Sequence, residues 1–393
     1  MRYILIILLV VFDFICTFSC SPTPPETQDV SVQKPVSATV SIPDTSTSFL
    51  NVRDFGAIAG DTGDDTAAIQ AAIDALSATG GTVYLPAGAY RVNSTIVFPV
   101  GKLIPNYITN IRIQGESSGL SSGSKSSVFG TRIDFYGSGI LFDLYDNTTT
   151  LSCNNVQFRD FEAFDCNNSG ETYGIRANRF HAGCIIENVG FKSFWESVAI
   201  EDRAYFSKFD NVTSFMARHI GIKIVMPNMM EINRCQASQG KGDGLYVYGN
   251  SGVLVVGGWY ESNTGYGIHI TGERLHGVSI TGSYLEANKM GGIYITGIDS
   301  LHYADGGYIA GTFQVKSSSY APAIILGYVK NYTLIGNSFG QFFDANSNCV
   351  YSKYCQNTMF IGNNYPPKSN FPIKPLNVPT NKNNVIMEPS LNR

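Results

Sequence analysis

Apolar and polar residues alternate in short stretches along most of the chain, and several of these stretches begin with glycine. The recurring motif is glycine, an aliphatic residue, a variable residue and a second small or aliphatic residue. It starts at five positions: Gly174, Gly221, Gly244, Gly267 and Gly292. Alternation with a period of two predicts β-strands that bury one face, because successive side chains point to opposite faces of a strand. Glycine at each strand entry is expected to allow tight corners.

The spacing of the motif predicts how these strands are arranged. From Gly221 onward the intervals are 23, 23 and 25 residues, and a second strand pattern, at Glu231, Leu254 and Val278, follows the same spacing. A period in the twenties with two or three strands per unit is typical of a parallel β-helix. One unit cannot bury its own inner face, so coils stack at about 4.8 Å and share a core. We therefore predict an all-β fold, a single-stranded parallel β-helix, with coils from about residue 90 to residue 362.

The segment before the repeat, residues 48–92, has a different pattern. A short strand and a polar loop lead into a predicted helix, which is followed by a second strand and a turn. Three apolar residues lie on one face of this helix: Ile69, Ile73 and Leu76. Asp64 and Asp65 directly precede the helix, where N-capping is the expected role in preference to metal binding or catalysis.

Three strings in this segment carry a family resemblance. They are Asn51-Val-Arg-Asp-Phe-Gly-Ala, then Gly63-Asp-Asp-Thr-Ala-Ala-Ile-Gln-Ala-Ala-Ile-Asp-Ala, then Gly80-Gly-Thr-Val-Tyr-Leu-Pro-Ala-Gly-Ala-Tyr. Together they resemble the opening of the pectate-lyase superfamily, whose right-handed parallel β-helix proteins include polygalacturonases, rhamnogalacturonases and many phage tailspike depolymerases. The resemblance implies a right-handed β-helix with a short N-terminal capping helix, and it implies fold rather than chemistry.

The N-terminus has the pattern of an export signal. Arg2 precedes an apolar run that Asp13 interrupts and that is too short for a membrane-spanning helix. The run ends at Ser19-Cys20, which is similar to a bacterial lipobox, so Cys20 is the predicted lipidation site. We expect a lipoprotein of the outer membrane or cell surface that contacts the membrane only through this lipid anchor. Secretion or a periplasmic location is the alternative.

The predicted domain organisation has four parts. They are an export signal over residues 1–20, a flexible Ser/Thr/Pro tether over 21–47, a β-helix domain over 48–365 and a Pro/Asn-rich tail over 366–393. Tailspike relatives are trimers, but no trimerising segment is evident, so a monomer is favoured over a trimer.

Composition narrows the classes of partner. The 393 residues carry 27 Lys and Arg against 31 Asp and Glu, and 15% of all residues are charged. An average domain has about 25% charged residues, so a disordered chain or a coiled coil is disfavoured. The sequence contains no basic block, so no nucleic acid partner is expected. An acidic polysaccharide stays open, because a local Arg or Lys cluster can bind it.

Six cysteines lie beyond the predicted signal, in a context that permits oxidation. Cys349 and Cys355 are six residues apart in a turn-rich stretch, and we predict a disulfide between them. Cys184 and Cys235 lie in strand-like stretches and are expected to be buried thiols.

Alignment of the repeats predicts a line of functional side chains on the outer surface. Trp259 aligns with Tyr284, and Glu261 aligns with Glu286. Tyr260 lies between Trp259 and Glu261 in the sequence. Aromatic rings bind the apolar faces of sugars, and two carboxylates one coil apart provide the acid and base of a glycosidase. Glu261 and Glu286 are therefore candidate catalytic residues, and Trp259, Tyr260 and Tyr284 candidate substrate-binding residues. The alternative is a structural ladder at a corner.

Three further residues are candidates. Asp243 lies at a predicted corner where a loop could supply an acid, although a turn role is the default. His269 faces outward, and together with Arg274 it offers a base and a cation of the kind a lyase needs. His219 with Arg218 offers the same pair, and for each histidine an ordinary surface role is the alternative.

The motifs that define polygalacturonases are not found where they should lie, and Leu275-His276-Gly277 is not one of them. No aspartate cluster of the pectate-lyase calcium type is evident. No catalytic residue is therefore transferred from the superfamily, and no cofactor is evident, with calcium expected only for a lyase. We predict a carbohydrate-active protein that cleaves a polysaccharide as a lyase or glycoside hydrolase. The alternatives are a non-catalytic glycan-binding or surface-structural protein and, third, a polymer-level uronate epimerase.

Overall fold

A computed structural model gives the fold. It describes residues 48–100, 107–118, 130–145, 151–249, 251–315, 321–340, 349–365, 373–375 and 383–387. The predicted signal, the tether up to residue 47, Cys20 and most of the tail lie outside the described residues. No helix within the described ranges has the length and apolar character needed to cross a bilayer.

Nearly all described elements are strands, apart from a 3₁₀ helix (Val52–Phe55) and the helix α1 (Thr66–Ala75). The first strands are β1 (Ser48–Asn51), β2 (Gly81–Leu85), β3 (Gly88–Val92), β4 (Ile96–Val97), β5 (Tyr107–Thr109), β6 (Ile111–Gly115), β7 (Thr131–Phe135), β8 (Ile140–Leu144) and β9 (Ser152–Asn154). The middle strands are β10 (Gln157–Asp165), β11 (Tyr173–Phe180), β12 (Ile185–Lys192), β13 (Glu196–Tyr205), β14 (Lys208–Asp210), β15 (Thr213–Phe215), β16 (Ile222–Val225), β17 (Pro227–Asn233), β18 (Gln236–Ser238), β19 (Leu245–Tyr248), β20 (Ser251–Val256), β21 (Trp259–Glu261) and β22 (Tyr266–Thr271). The last strands are β23 (His276–Thr281), β24 (Tyr284–Glu286), β25 (Gly291–Thr296), β26 (Ala304–Ala310), β27 (Phe313–Val315), β28 (Ile324–Gly327), β29 (Val329–Ile335), β30 (Ser338–Phe339), β31 (Val350–Lys353), β32 (Met359–Ile361), β33 (Ile373–Pro375) and β34 (Val385–Met387).

All pairings are parallel, and each coil contributes to three sheets. Sheet A contains β4, β8, β11, β13, β16, β19, β22, β25, β28, β31 and β33. Sheet B contains β1, β2, β6, β14, β20, β23, β26, β29, β32 and β34, together with parts of β10, β12 and β17. Sheet C contains β3, β7, β15, β18, β21, β24, β27 and β30, together with the second halves of β10 and β12. The predicted all-β, right-handed parallel β-helix with a short capping helix is confirmed.

The aliphatic positions of the glycine motif form the core. Ile222, Leu245, Ile268 and Ile293 are in register on successive strands of sheet A, and each has no exposed surface. This alignment leaves the variable position between two aliphatic residues pointing away from the core.

The repeated glycines serve close packing at these strand entries. A Cβ atom at Gly244 would lie 2.7 Å from the backbone oxygen of Gly267, and one at Gly267 would lie 2.8 Å from the amide nitrogen of the Asn288 side chain. Glycine is therefore needed at these positions because neighbouring coils leave no space for a Cβ atom. The tight corner between sheets B and C is formed instead by residues with a left-handed backbone: Asp160, Asn188, Asn211, Arg234, Gly257 with Gly258, Gly282, Gly311, Gly336 and Gly362.

Both aspartates before α1 have structural roles, but the N-cap residue Asp65 makes no capping hydrogen bond with its side chain, so the predicted N-capping role is wrong for Asp65. Asp64 accepts hydrogen bonds from the backbone N–H of Thr66 at 3.0 Å and from its hydroxyl at 2.5 Å. Asp65 accepts from the backbone N–H of Ile58 at 2.8 Å and of Arg91 at 2.9 Å, and it thereby joins the polar loop to β3.

The predicted Cys349–Cys355 disulfide is wrong for this structure, in which both residues are buried thiols. β31 lies between them, and a four-residue strand extends roughly 13 Å, whereas a disulfide needs Cα atoms within about 7 Å. The Sγ atom of Cys355 instead lies 3.7 Å from the backbone oxygen of Leu326.

Candidate functional site

The outward positions of sheet A carry a line of polar and aromatic side chains that Ala199 interrupts on β13. On successive coils the variable residue of the glycine motif is in register, from Arg176 through Ala199 to the charged and aromatic positions that follow. We call five of these residues the sheet A line: Arg176, Lys223, Tyr246, His269 and Tyr294. Strand spacing places Lys223, Tyr246, His269 and Tyr294 about 4.8 Å apart on adjacent strands, whereas Arg176 lies one strand further away, beyond Ala199. One extended ligand can therefore contact several of them.

His269 is paired with a carboxylate from the preceding coil. Its Nδ1 atom lies 2.7 Å from Oδ2 of Asp243, and the other carboxylate oxygen of Asp243 accepts the backbone N–H of Tyr266 at 2.7 Å. Because the carboxylate accepts a hydrogen bond from Nδ1, the neutral form of this imidazole has its proton on Nδ1 and a lone pair on Nε2. The pair therefore presents an oriented base, and the separate sequence predictions of Asp243 and His269 meet in one unit.

Three tyrosine rings surround this histidine. The ring of Tyr294 stacks on His269 with a centroid distance of 5.0 Å, while Tyr246 and Tyr266 approach it edge-on at 5.0 and 5.2 Å. Burial, with smaller contributions from Tyr294 and Asp243, raises the pKa of Tyr266 to about 12. Burial also raises the pKa of Tyr246. Both phenols are therefore protonated at neutral pH and can donate a proton or a hydrogen bond.

A second histidine–carboxylate pair lies two coils earlier. Nδ1 of His219 lies 2.8 Å from Glu196, and the imidazole stacks on the indole of Trp195 with a centroid distance of 4.8 Å. The Glu196 side chain is only 3% exposed, and its pKa is raised because burial outweighs the charge of Lys223 and the hydrogen bond to His219.

Lys223 links this pair to the rest of the line. Its Nζ atom lies 2.8 Å from Glu201 and 3.8 Å from Glu196, and Glu201 also pairs with Arg176 at 3.1 Å. Burial lowers the pKa of Lys223, but the hydrogen bond to Glu201 and the two negative charges outweigh burial and raise it. Lys223 therefore stays charged.

Arg218 does not act as the cation beside His219. Its guanidinium donates to Asp165 at 2.8 Å, to the Thr172 hydroxyl at 2.7 Å and to the Ser193 backbone oxygen at 2.9 Å. This largely buried network anchors the corner that carries His219.

Sheet C carries the predicted aromatic and carboxylate ladder. Trp259 is in register with Tyr284, and Glu261 with Glu286, as the repeat alignment predicts. The ladder continues to Phe313, whose ring stacks on Tyr284 with a centroid distance of 5.6 Å. Each glutamate accepts a hydrogen bond from the aromatic side chain two residues before it, Glu261 from Trp259 at 3.0 Å and Glu286 from Tyr284 at 2.5 Å. The carboxylates thus orient the aromatic side chains.

Two of the predicted substrate-binding residues, Tyr260 and Arg274, belong neither to the sheet A line nor to the ladder of sheet C. Tyr260 is fully buried, because strand alternation turns it inward between Trp259 and Glu261, so its assignment to an outer surface is wrong. Arg274 is exposed in the turn between β22 and β23 and so lies beyond the strand that carries His269.

The residues that the sequence prediction missed are Glu196, Lys223, Tyr246, Tyr266 and Tyr294. Three of them occupy the variable position of the glycine motif, so comparing that position across the repeats reveals Lys223, Tyr246 and Tyr294. Glu196 and Tyr266 stand at strand starts, and only the folded corner brings them beside the histidines.

Within the ranges that the structure describes, no group of three or more His, Cys, Asp or Glu side chains is arranged to hold a metal ion. Sheet A and the corner before β16 together carry two imidazoles paired with carboxylates, protonated phenols and the charged Lys223. This set is suited to proton transfer beside a negatively charged group.

Fold and surface together define a pectate-lyase-like right-handed β-helix protein. The family model described as "Rhamnogalacturonase A/epimerase, pectate lyase-like" matches residues 49–268, which is more than half of the chain. The chain belongs to this family.

Individual relatives match more narrowly in sequence. A mannuronan C5-epimerase of Azotobacter vinelandii, AlgE5, is 70% identical over 44 residues, which are 11% of this chain and 4% of that protein. The match thus covers a small part of that relative.

Solved structures match over most of the chain. The A-module of the mannuronan C-5 epimerase AlgE4 of A. vinelandii has a TM-score of 0.59 at 19% identity, over 85% of this chain and 99% of that one. The catalytic unit of an α-1,3-glucanase of Streptomyces thermodiastaticus has a TM-score of 0.52 at 15% identity, over 86% of this chain and 68% of that one. At these identities the likeness establishes the fold.

Proposed function

We propose that this protein is an enzyme that acts on a polysaccharide containing uronate residues. In this proposal it removes the proton from C5, the carbon next to the sugar carboxylate. The observation that carries the proposal is the oriented Asp243–His269 pair, surrounded by tyrosines with raised pKa and followed along the same line by the charged Lys223. The mannuronan epimerases among the matched proteins support a uronate polymer as the substrate class.

Each residue has a role in this chemistry. A cation near the sugar carboxylate makes C5–H more acidic, and Lys223, two strands from His269, is the cation of the sheet A line that lies nearer to it. Nε2 of His269 accepts the C5 proton while Asp243 stabilises the imidazolium that forms. A protonated tyrosine, Tyr266 or Tyr246, then returns a proton to the sugar.

The two outcomes differ in where that proton goes. If C5 takes it on the opposite face of the ring, the sugar is epimerised. If the C4–O4 bond breaks instead, O4 takes the proton and a C4=C5 double bond remains. Both outcomes share the first step, and the proposal concerns that step.

A non-catalytic glycan-binding function is the second candidate, and it draws on sheet C. Trp259 and Phe313 are 47% and 41% exposed there, beside Glu261 and Glu286. Since both glutamates accept hydrogen bonds from aromatic neighbours, a binding or structural role suits them better than the acid and base of a hydrolase.

Incubation of the full chain with alginate, polygalacturonate and a neutral glucan in D₂O tests the proposal. We expect one uronate polymer to gain deuterium at C5, detected by NMR, or to form unsaturated uronate ends, detected by ultraviolet absorbance. The neutral glucan is the control and should not change. New reducing ends without either signal would indicate hydrolysis and would contradict the proposal, as would the absence of any product.

A further inference from the structure

A pair of arginines lies at the end of the sheet A strands that carry Arg176 and Glu201. Arg179 follows three residues after Arg176 in β11, and Arg203 follows two residues after Glu201 in β13. The two arginines are in register on adjacent strands. Like charges directly opposite each other destabilise a sheet, so this arrangement needs an explanation.

One carboxylate serves both arginines. Asp202 accepts a hydrogen bond from Nε of Arg179 at 2.7 Å, whereas Nε of Arg203 lies 3.7 Å away, beyond hydrogen-bond distance. Nε of Arg203 is buried without a hydrogen-bond partner among the described residues. The Arg203 side chain as a whole nevertheless remains 39% exposed, so a ligand can contact it.

Among the described residues around the pair, the neighbouring His181 and Glu201 supply no second counter-ion. His181 stacks on Tyr205 with a centroid distance of 5.3 Å, and its Nε2 is buried without a partner in the described part of the chain. Burial, together with the charges of Arg179 and Arg203, lowers the pKa of His181, so this imidazole is neutral. The nearby Glu201 is already shared between Arg176 and Lys223.

We propose that Arg179 and Arg203 form an anion-binding subsite that takes a carboxylate of the polysaccharide, on a sugar other than the one that reacts at His269. This proposal rests on the proposed function, and it identifies a second position at which the acidic polymer is bound. An acidic chain bound at His269 on β22 reaches this pair by crossing β19 and β16 to Arg203 on β13 and Arg179 on β11, and it passes Lys223 on β16. A guanidinium keeps its charge and can donate two parallel hydrogen bonds, so it is suited to a carboxylate.

Binding measurements on a non-turnover background separate this subsite from catalysis. In the full chain carrying His269→Gln, the affinity for a six-residue oligomannuronate and a six-residue oligogalacturonate is measured by calorimetry at low and high salt. We expect Arg179→Gln/Arg203→Gln to weaken binding of the favoured oligouronate about tenfold at low salt and to flatten the salt dependence. Arg179→Lys/Arg203→Lys should retain more affinity than the glutamine pair, because it keeps the charge.

Arg234→Gln is the matched control. Arg234 also pairs with an aspartate, Asp210 at 2.6 Å, but it lies at the corner between sheets B and C. Its loss should leave oligouronate affinity unchanged. Unchanged affinity in the double glutamine variant would overturn the subsite, as would equal weakening by Arg234→Gln or no oligouronate binding by the parent. If binding falls as expected while the D₂O experiment gives no product, the subsite stands and the proposed chemistry fails.

Discussion

His269 owes its proposed role to neighbours from three coils. Asp243 comes from the coil before it, Tyr266 from its own coil and Tyr294 from the coil after it. The sequence predicted that His269 faces outward, because it alternates with buried aliphatic residues. The sequence could not predict that Asp243 is the partner of His269. Asp243 lies in the corner before β19, and its distance from His269 depends on how two successive coils stack.

Glu162 on sheet C shows how burial acts on one carboxyl group. The residue is 8% exposed, and burial, opposed by Arg132 and Lys192 and reinforced by Asp134, raises its pKa from 4.5 to about 7. The folded state therefore binds this proton more tightly than the unfolded state. Its contribution to the unfolding free energy is largest below the unfolded-state pKa and is lost as pH rises towards about 7.

We predict that Glu162→Gln flattens the dependence of stability on pH. The wild-type melting temperature should fall as pH rises from about 5 to about 7, and the fall should be smaller in the variant. Thermal melts across this range measure the effect, with Glu273→Gln, an exposed carboxyl in the turn after β22, as the control. Parallel curves for wild type and Glu162→Gln would show that the group does not titrate as described.

At the scale of strands and corners, the sequence predicted most of the fold. The glycine motif predicted the strands of sheet A, and the alignment of Trp259 with Tyr284 predicted the register of sheet C. Prediction from the sequence was less successful within short strands. Tyr260 was grouped with its neighbours although alternation turns it inward, and Cys349 and Cys355 were paired although β31 lies between them. The left-handed corners with Asn or Arg in place of Gly carry no pattern that a glycine motif detects.

Corner stability depends on a buried asparagine ladder. Asn263 accepts the backbone N–H of Gly240 at 3.0 Å and donates to the Ala237 carbonyl and the Asn288 side chain, both at 2.9 Å. All of these groups are shielded from water, so no solvent can replace the bonds.

We predict that Asn263→Ala lowers the unfolding free energy by about 3 kcal/mol, because it leaves buried backbone groups unpaired. Asn211→Gly is the matched control. Asn211 makes a partly buried side-chain bond to Asn188, and glycine tolerates its left-handed backbone, so we expect a loss of about 1 kcal/mol or less. Denaturant unfolding followed by circular dichroism compares them. Equal losses would show that burial of the ladder does not matter.

At the scale of the whole molecule, the solenoid presents two different surfaces. Sheet A carries the charged and histidine-containing line, and sheet C carries the aromatic ladder from Trp259 to Phe313. Stacked coils turn each strand position into a row, so a sequence repeat determines a surface directly. The composition that excluded nucleic acid partners left acidic polysaccharides open, and the clustered cations of sheet A are the feature that such a polymer requires.

The proposed lipid anchor at Cys20 would attach the protein to a membrane. We predict that the full chain expressed in bacteria incorporates labelled palmitate and sediments with membranes. Cys20→Ser should abolish the label and move the protein to the soluble fraction, since no other membrane attachment is proposed. Label that persists in Cys20→Ser would contradict the lipobox assignment.

The most direct test of the central claim compares His269→Gln with Glu286→Gln. Both variants are assayed for C5 deuterium incorporation or unsaturated ends with the uronate polymer that the wild type accepts. If the sheet A line carries the chemistry, His269→Gln loses about 100-fold or more in kcat, and Glu286→Gln keeps the wild-type rate. A rate that survives in His269→Gln but collapses in Glu286→Gln would place the reaction on sheet C and contradict the account.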